Sequence, residues 1–140
     1  MKSRIVKKKS IWVGNWDLYK RCDAFNYENL NYTPKFGMVE LPKYCKRYDA
    51  IIVGSDQVWT DVYSAVHPFF CDGVGDFKGL RIAYAACSAH DRVPFYNRKH
   101  IRQSLNKFTA ISVRDTTTVH LVESVKCPKP AIVADPTLLY

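Results

Sequence analysis

The stretch from Tyr48 to Trp59, YDAIIVGSDQVW, decides the reading of this chain. Its apolar run, Ala50 to Val53, is short, continuous and rich in β-branched residues, which suits a strand buried on both faces. The run stops at Gly54, which permits a tight turn or a close backbone approach. Ser55, Asp56 and Gln57 follow. Two readings stand side by side for these polar residues. Ser55 or Asp56 caps a short helix, or the group lies over a ligand with early helical amides aimed at an anion. The stretch lacks the G-x-x-x-x-G-K-[ST] pattern of a phosphate loop. Trp59 is expected to pack behind the polar group.

Three further runs of the same kind follow. They are Arg81 to Cys87 (RIAYAAC), Ala110 to Val113 within TAISVR, and Ala131 to Ala134, which is closed by Asp135-Pro136. Between the second and third, Phe95 to Phe108 places Ile101, Leu105 and Phe108 on one helical stripe, leaving Arg98, Lys99, Arg102 and Lys107 to solvent. Between the third and fourth, Asp115 to Val125 carries Val119, Val122 and Val125 at helical spacing. Asp115 suits the amino end of that helix and Lys126 the other pole, and Pro128 and Pro130 stop it. Strands separated by such helices predict a mainly parallel sheet flanked by helices, an α/β, Rossmann-like fold. Ligands of open parallel sheets bind beyond the carboxyl ends of the strands. Polar residues gather at all four such ends: Gly54 to Gln57, Cys87-Ser88, Arg114-Asp115 and Asp135-Pro136-Thr137. Packing alone does not call for that coincidence.

Composition narrows the function classes. The 140 residues are 47% hydrophobic and 14% aromatic, which fits a globular domain. No apolar stretch approaches the ~18 residues of a membrane span, and no secretory signal follows the basic start, so a cytoplasmic protein is expected. The five cysteines, Cys22, Cys45, Cys71, Cys87 and Cys127, form no C-x-x-C pair. The four histidines show no metal spacing, so neither metal nor cofactor is expected. Of the net charge of +8, Lys2, Arg4, Lys7, Lys8 and Lys9 carry five, which leaves an ordinary +3 for the rest. The basic arm lacks the interleaved aromatics of a nucleic-acid groove, so it reads as a solvated segment and no nucleic acid is expected as partner. Residues 1–47 otherwise hold no clean period; one or two short helices fit, with turn signals at Thr33-Pro34 and Leu41-Pro42.

Among the residues that can carry chemistry, Arg114 ends the third run, where a guanidinium can fork onto a carboxylate or phosphate of a ligand. The alternative is an internal pair with Asp115 or another neighbour. Cys87 and Ser88 face the same expected cleft. A nucleophilic Cys87 would require a base, and only His90 is near in sequence, so a buried structural thiol is the plainer reading.

The series YDAIIVGSDQVW, RIAYAACSA, FTAISVRD and ADPTLL resembles the polysaccharide pyruvyl transferase family. In that family strands end in G-S-D-Q-x-W, Y-A-A-S-x-G, S-x-R-[ED] and D-P-T, in this order. The likeness runs from Tyr48 to Leu139. It implies two Rossmann-like domains facing a cleft, the arrangement called GT-B. It also implies transfer of a pyruvyl group from phosphoenolpyruvate, the donor substrate, to a sugar of a cell-surface polysaccharide. Arg114 matches the S-x-R position and is the candidate for holding the donor's anionic groups, with Ser55, Asp56, Gln57, Cys87 and Ser88 as further substrate-binding candidates. The family's acid histidine belongs to its carboxyl-terminal domain, and none of the four histidines here matches it, so no catalytic residue is assigned.

Cys87 stands where the family has Ser, and Ala89 where it has Gly. The division expected from the resemblance is a basic, aromatic-rich lead-in of linker helix and loops over 1–47 and a Rossmann-like domain over 48–140. On this reading the chain is part of a first domain, lacks the opening strand unit and the partner domain, and is inactive on its own. Two other readings remain beside it: a GT-B-type glycosyltransferase using a nucleotide sugar, and a non-catalytic remnant or basic interaction module.

Overall fold

The structure, a computed structural model, describes residues 16–31 and 33–138; the basic arm with Lys2, Arg4, Lys7, Lys8 and Lys9 lies outside them. Two compact units divide the chain, residues 1–35 and 36–140. In the first, α1 (Trp16–Asn29) carries Asp17 in its first turn and exposes Leu18, Phe25 and Tyr27. No described helix is long and apolar enough to cross a membrane.

The second unit opens with α2 (Leu41–Cys45), so the Leu41-Pro42 turn signal marks a helix start instead, with proline in the first turn where its missing amide costs nothing. Four parallel strands follow in the order β1 (Ala50–Val53), β2 (Leu80–Ala86), β3 (Ala110–Val113) and β4 (Ala131–Ile132). Helix α3 (Arg98–Leu105) lies between β2 and β3 in the chain, and α4 (Thr116–Ser124) between β3 and β4. The expected parallel α/β sheet is present.

Trp59, Val62, Phe70, Ile101, Leu105, Val113, Leu121 and Val122 are all fully buried in one core cluster. Trp59 stacks on Phe70 with ring centroids 5.3 Å apart, meets Phe108 edge-on at 6.0 Å, and donates its indole N–H to the Phe69 carbonyl at 2.8 Å. Three of these core side chains come from residues 54–79, where the only described helix is a single 3₁₀ turn at Pro68–Phe70. Asp72 ties that turn to α3: it accepts from the His67 amide at 3.0 Å and the Ser104 hydroxyl at 2.8 Å, and it meets His100 Nε2 at 2.9 Å.

Several local expectations are corrected. Among the described residues β1 is an edge strand that buries Val53 but leaves Ile52 68% exposed, so it is not covered on both faces. The helix expected over Phe95 to Phe108 forms only over Arg98–Leu105. Asn97, at its cap, points its amide inward to the Val62 and Ser64 carbonyls at 2.8 and 3.0 Å, which pins the chain before the helix begins. β4 is only two residues long, although the Val133 amide still reaches the Val113 carbonyl at 2.9 Å. For α4 the expectation holds: Asp115 caps it by accepting from the Thr118 amide at 2.7 Å.

Burial raises the pKa values of the Cys45, Cys71, Cys87 and Cys127 thiols above 9.0, that of Cys71 to about 11. In the unfolded chain these thiols ionise near 9.0, so above that pH the unfolded state binds fewer protons than the folded one. Stability is therefore expected to fall between about pH 9 and about pH 11, as urea unfolding midpoints across this range will report. Cys71→Ala should flatten that slope.

Candidate functional site

The carboxyl ends of the four strands meet at one edge. Gly54 has φ +150°, and a Cβ there would collide with the Tyr84 carbonyl oxygen, so β1 passes against β2 as only glycine allows. The residues beyond it make a turn and not a helix, which corrects both the reading of Ser55 or Asp56 as a helix cap and the expectation of early helical amides aimed at an anion. Two backbone bonds stitch this turn to the end of β2. The Cys87 amide donates to the Asp56 carbonyl at 3.2 Å, and the Trp59 amide donates to the Cys87 carbonyl at 3.0 Å. With its indole buried as expected, Trp59 anchors the turn from behind.

β2 contains an irregularity. Its register against β3 shifts between Ala83 and Ala86, and Ala85 takes φ +50°. The Ser112 hydroxyl bridges this bulge by donating to the Ala83 carbonyl at 3.1 Å and accepting from the Ala85 amide at 3.2 Å. Bulges re-aim the residues that follow them, and here those are Cys87 and Ser88. Ser112→Ala leaves both backbone groups without that partner and is expected to cost about 1–3 kcal/mol, measurable by urea unfolding.

Cys87 and Ser88 are buried and face the amino end of α4. The Cys87 thiol donates to Asp115 Oδ2 at 3.0 Å, and the Ser88 amide donates to the Thr118 hydroxyl at 2.9 Å. The Thr118 hydroxyl in turn donates to Asp115 Oδ1 at 2.8 Å, and the His90 amide donates to the Ser88 hydroxyl at 3.1 Å. Burial, then the carboxylate of Asp115, push the Cys87 thiol above its ordinary pKa, which suits a structural thiol and not a nucleophile. Burial also pushes Asp115 upward, but bonds from Cys87 and Thr118 outweigh it and leave its carboxyl below the usual range.

Arg114 stands at the centre of this edge. Its amide donates to the Ala86 carbonyl at 3.1 Å, and its guanidinium reaches Asp135 Oδ2 at 3.0 Å and Asp56 Oδ1 at 3.6 Å. Asp135 is itself fixed by the Thr137 amide at 3.0 Å and hydroxyl at 2.7 Å. Thr137 and then Arg114 hold the Asp135 carboxyl far below the ordinary range, with a smaller contribution from Ser55. Asp135, and then Cys87, keep the Arg114 guanidinium more firmly protonated than usual. The internal-pair alternative for Arg114 is thus partly realised, but with Asp135 and Asp56. The two pairs differ: the Asp135 side chain is only 12% exposed, whereas that of Asp56 is 88% exposed.

Of the six candidate residues, Arg114, Asp56 and Ser55 come together around Asp135. Cys87 and Ser88 form the wall behind them, and exposed Gln57 accepts from the Thr60 hydroxyl at 3.4 Å. Asp135, Thr118 and Ser112 were not among the candidates. Asp135 carried a signal, an acid at a strand end before proline, and Ser112 opens the S-x-R stretch; Thr118 carried none, because its work is to bridge segments distant in sequence. Among the described residues, no three of His, Cys, Asp or Glu gather as a metal-binding group.

A parallel Rossmann-like sheet with a cation and three carboxylates at its carboxyl edge defines an α/β protein of the kind that binds small ligands there. The model of one family, polysaccharide pyruvyl transferase, matches residues 2–140, and the chain belongs to that family. No curated protein and no solved structure matches it.

Proposed function

We propose that this edge binds phosphoenolpyruvate and takes part in transferring its pyruvyl group to a sugar of a polysaccharide. The carrying observation is Arg114, a fixed guanidinium at the strand ends that is held firmly by Asp135 and only loosely by Asp56. An incoming carboxylate or phosphate replaces Asp56 at Nη2, while Asp135 keeps the fork oriented. The released Asp56 is then free to accept a hydrogen bond from a sugar hydroxyl beside the donor. Ser55 and Gln57 line the same turn, and Cys87 and Ser88 back it.

In the reaction, a general acid protonates the methylene carbon of the donor, and a cationic centre develops at the carbon that carries the phosphate. One sugar hydroxyl adds there, phosphate departs with its bridging oxygen, and a second hydroxyl closes the ketal; both hydroxyl protons are released. The Asp115 carboxylate, fixed by Cys87 and Thr118, adds negative charge that stabilises the developing positive centre. The general acid is assigned to a second domain facing this edge, as the family resemblance implies.

Competition binding tests the reading. Phosphoenolpyruvate should bind saturably and resist displacement by nucleotide sugars; preferential binding of a nucleotide sugar would assign the edge to a glycosyl donor instead.

A further inference from the structure

At the opposite, amino-terminal edge of the sheet lies an open cavity of about 720 Å³. Its rim is the loop of residues 72–79, DGVGDFKG, and three cations line it: Lys78, Arg81 and Lys107. No described carboxylate forms an ion pair with any of the three. Of the two acids in the lining, Asp72 is engaged with His100 and Ser104, and Asp76 with Lys46 at 3.1 Å, with Lys78 adding a weaker charge interaction.

Arg81 ties the loop but keeps hydrogen-bonding capacity that the described residues leave unmet. Its Nη2 donates to the Phe77 carbonyl at 2.8 Å, its guanidinium lies 5.6 Å from the centre of the Phe77 ring, and its buried Nε has no hydrogen-bond partner. A partly buried guanidinium without a counter-ion is costly, and the cost is relieved when an anion supplies the missing charge. The loop adds donors. Gly73 and Gly75 take φ +76° and +64°, and no described group accepts a hydrogen bond from the amides of Gly73, Val74 or Gly75. Successive free amides at left-handed turns form concave anion sites.

We propose that this cavity binds the phosphate group of a ligand, at a site on the far side of the sheet from Arg114. The phosphate sits between the glycine loop and the Lys78, Arg81 and Lys107 side chains. The same chemistry fits a soluble phosphate ester and a phospholipid headgroup.

Titration of the chain with inorganic phosphate, followed through backbone amide shifts, tests the site. Saturable shifts at Gly73 to Lys78 are expected, with affinity lowered at least tenfold in Lys78→Ala/Lys107→Ala. Both lysines are exposed, so this variant should keep its fold, whereas Arg81 is left intact because it ties the loop. Co-sedimentation with vesicles of anionic phospholipid, against neutral vesicles, separates the sources. Lysine-dependent sedimentation places the phosphate on a lipid, and phosphate binding without sedimentation places it on a soluble ligand. Absence of saturable shifts, or equal shifts in the double variant, overturns the proposal. Phosphoenolpyruvate binding at the Arg114 edge is independent of either result.

Discussion

Arg114→Ala is expected to weaken phosphoenolpyruvate binding by roughly 30- to 150-fold, the equivalent of about 2–3 kcal/mol for loss of a charged hydrogen-bonding fork. The fold should survive the substitution. Asp135 keeps the Thr137 amide and hydroxyl, and the main-chain bond from residue 114 to Ala86 is unaffected by the side chain. Arg114→Lys separates charge from geometry. An ammonium can balance one anion, but it has no planar fork to hold Asp135 and the donor together, so only part of the affinity should return. Direct titration with phosphoenolpyruvate, alongside thermal unfolding of each variant, gives the comparison; unchanged affinity in Arg114→Ala would remove Arg114 from the site.

Gly54→Ala should be among the most damaging single substitutions in the second unit. A methyl group there runs into the Tyr84 carbonyl oxygen of the neighbouring strand, and φ +150° is strained for any residue with a Cβ. Overpacking and backbone strain together predict a loss of about 3 kcal/mol or more, a large part of the stability of a small domain. Gly37→Ala is the internal control, since a Cβ at that position meets nothing within 4 Å. A shift of the urea midpoint for Gly54→Ala with none for Gly37→Ala is the expected pattern. Because Gly54 launches the turn that carries Asp56, a variant that does fold should also lose donor affinity.

Much of the sheet was legible because its signals are local. The β-branched runs at Ala50–Val53 and Ala110–Val113 became strands with the expected bounds, and the Asp115 cap fixed the start of α4. The segment between β1 and β2 was not legible as structure. Trp59, Val62 and Phe70 fill the core from irregular backbone, held by bonds to partners far along the chain. Left-handed Cys71 and Ala85 were equally silent, since neither residue type favours positive φ. At the site, Arg114 could be placed at a strand end from the sequence, but its carboxylate partners could not. Sequence spacing alone does not say that Asp56 and Asp135 converge on it, and adjacent Asp115 turned out to serve Cys87 and Thr118.

The most direct test of the central claim is a backbone amide map of phosphoenolpyruvate binding. Saturable shifts should cluster at Ser55 to Gln57, Cys87-Ser88, Arg114-Asp115 and Asp135, and in Arg114→Ala they should need roughly 30- to 150-fold more phosphoenolpyruvate to saturate. Saturable binding that leaves all of these residues unmoved would contradict the account.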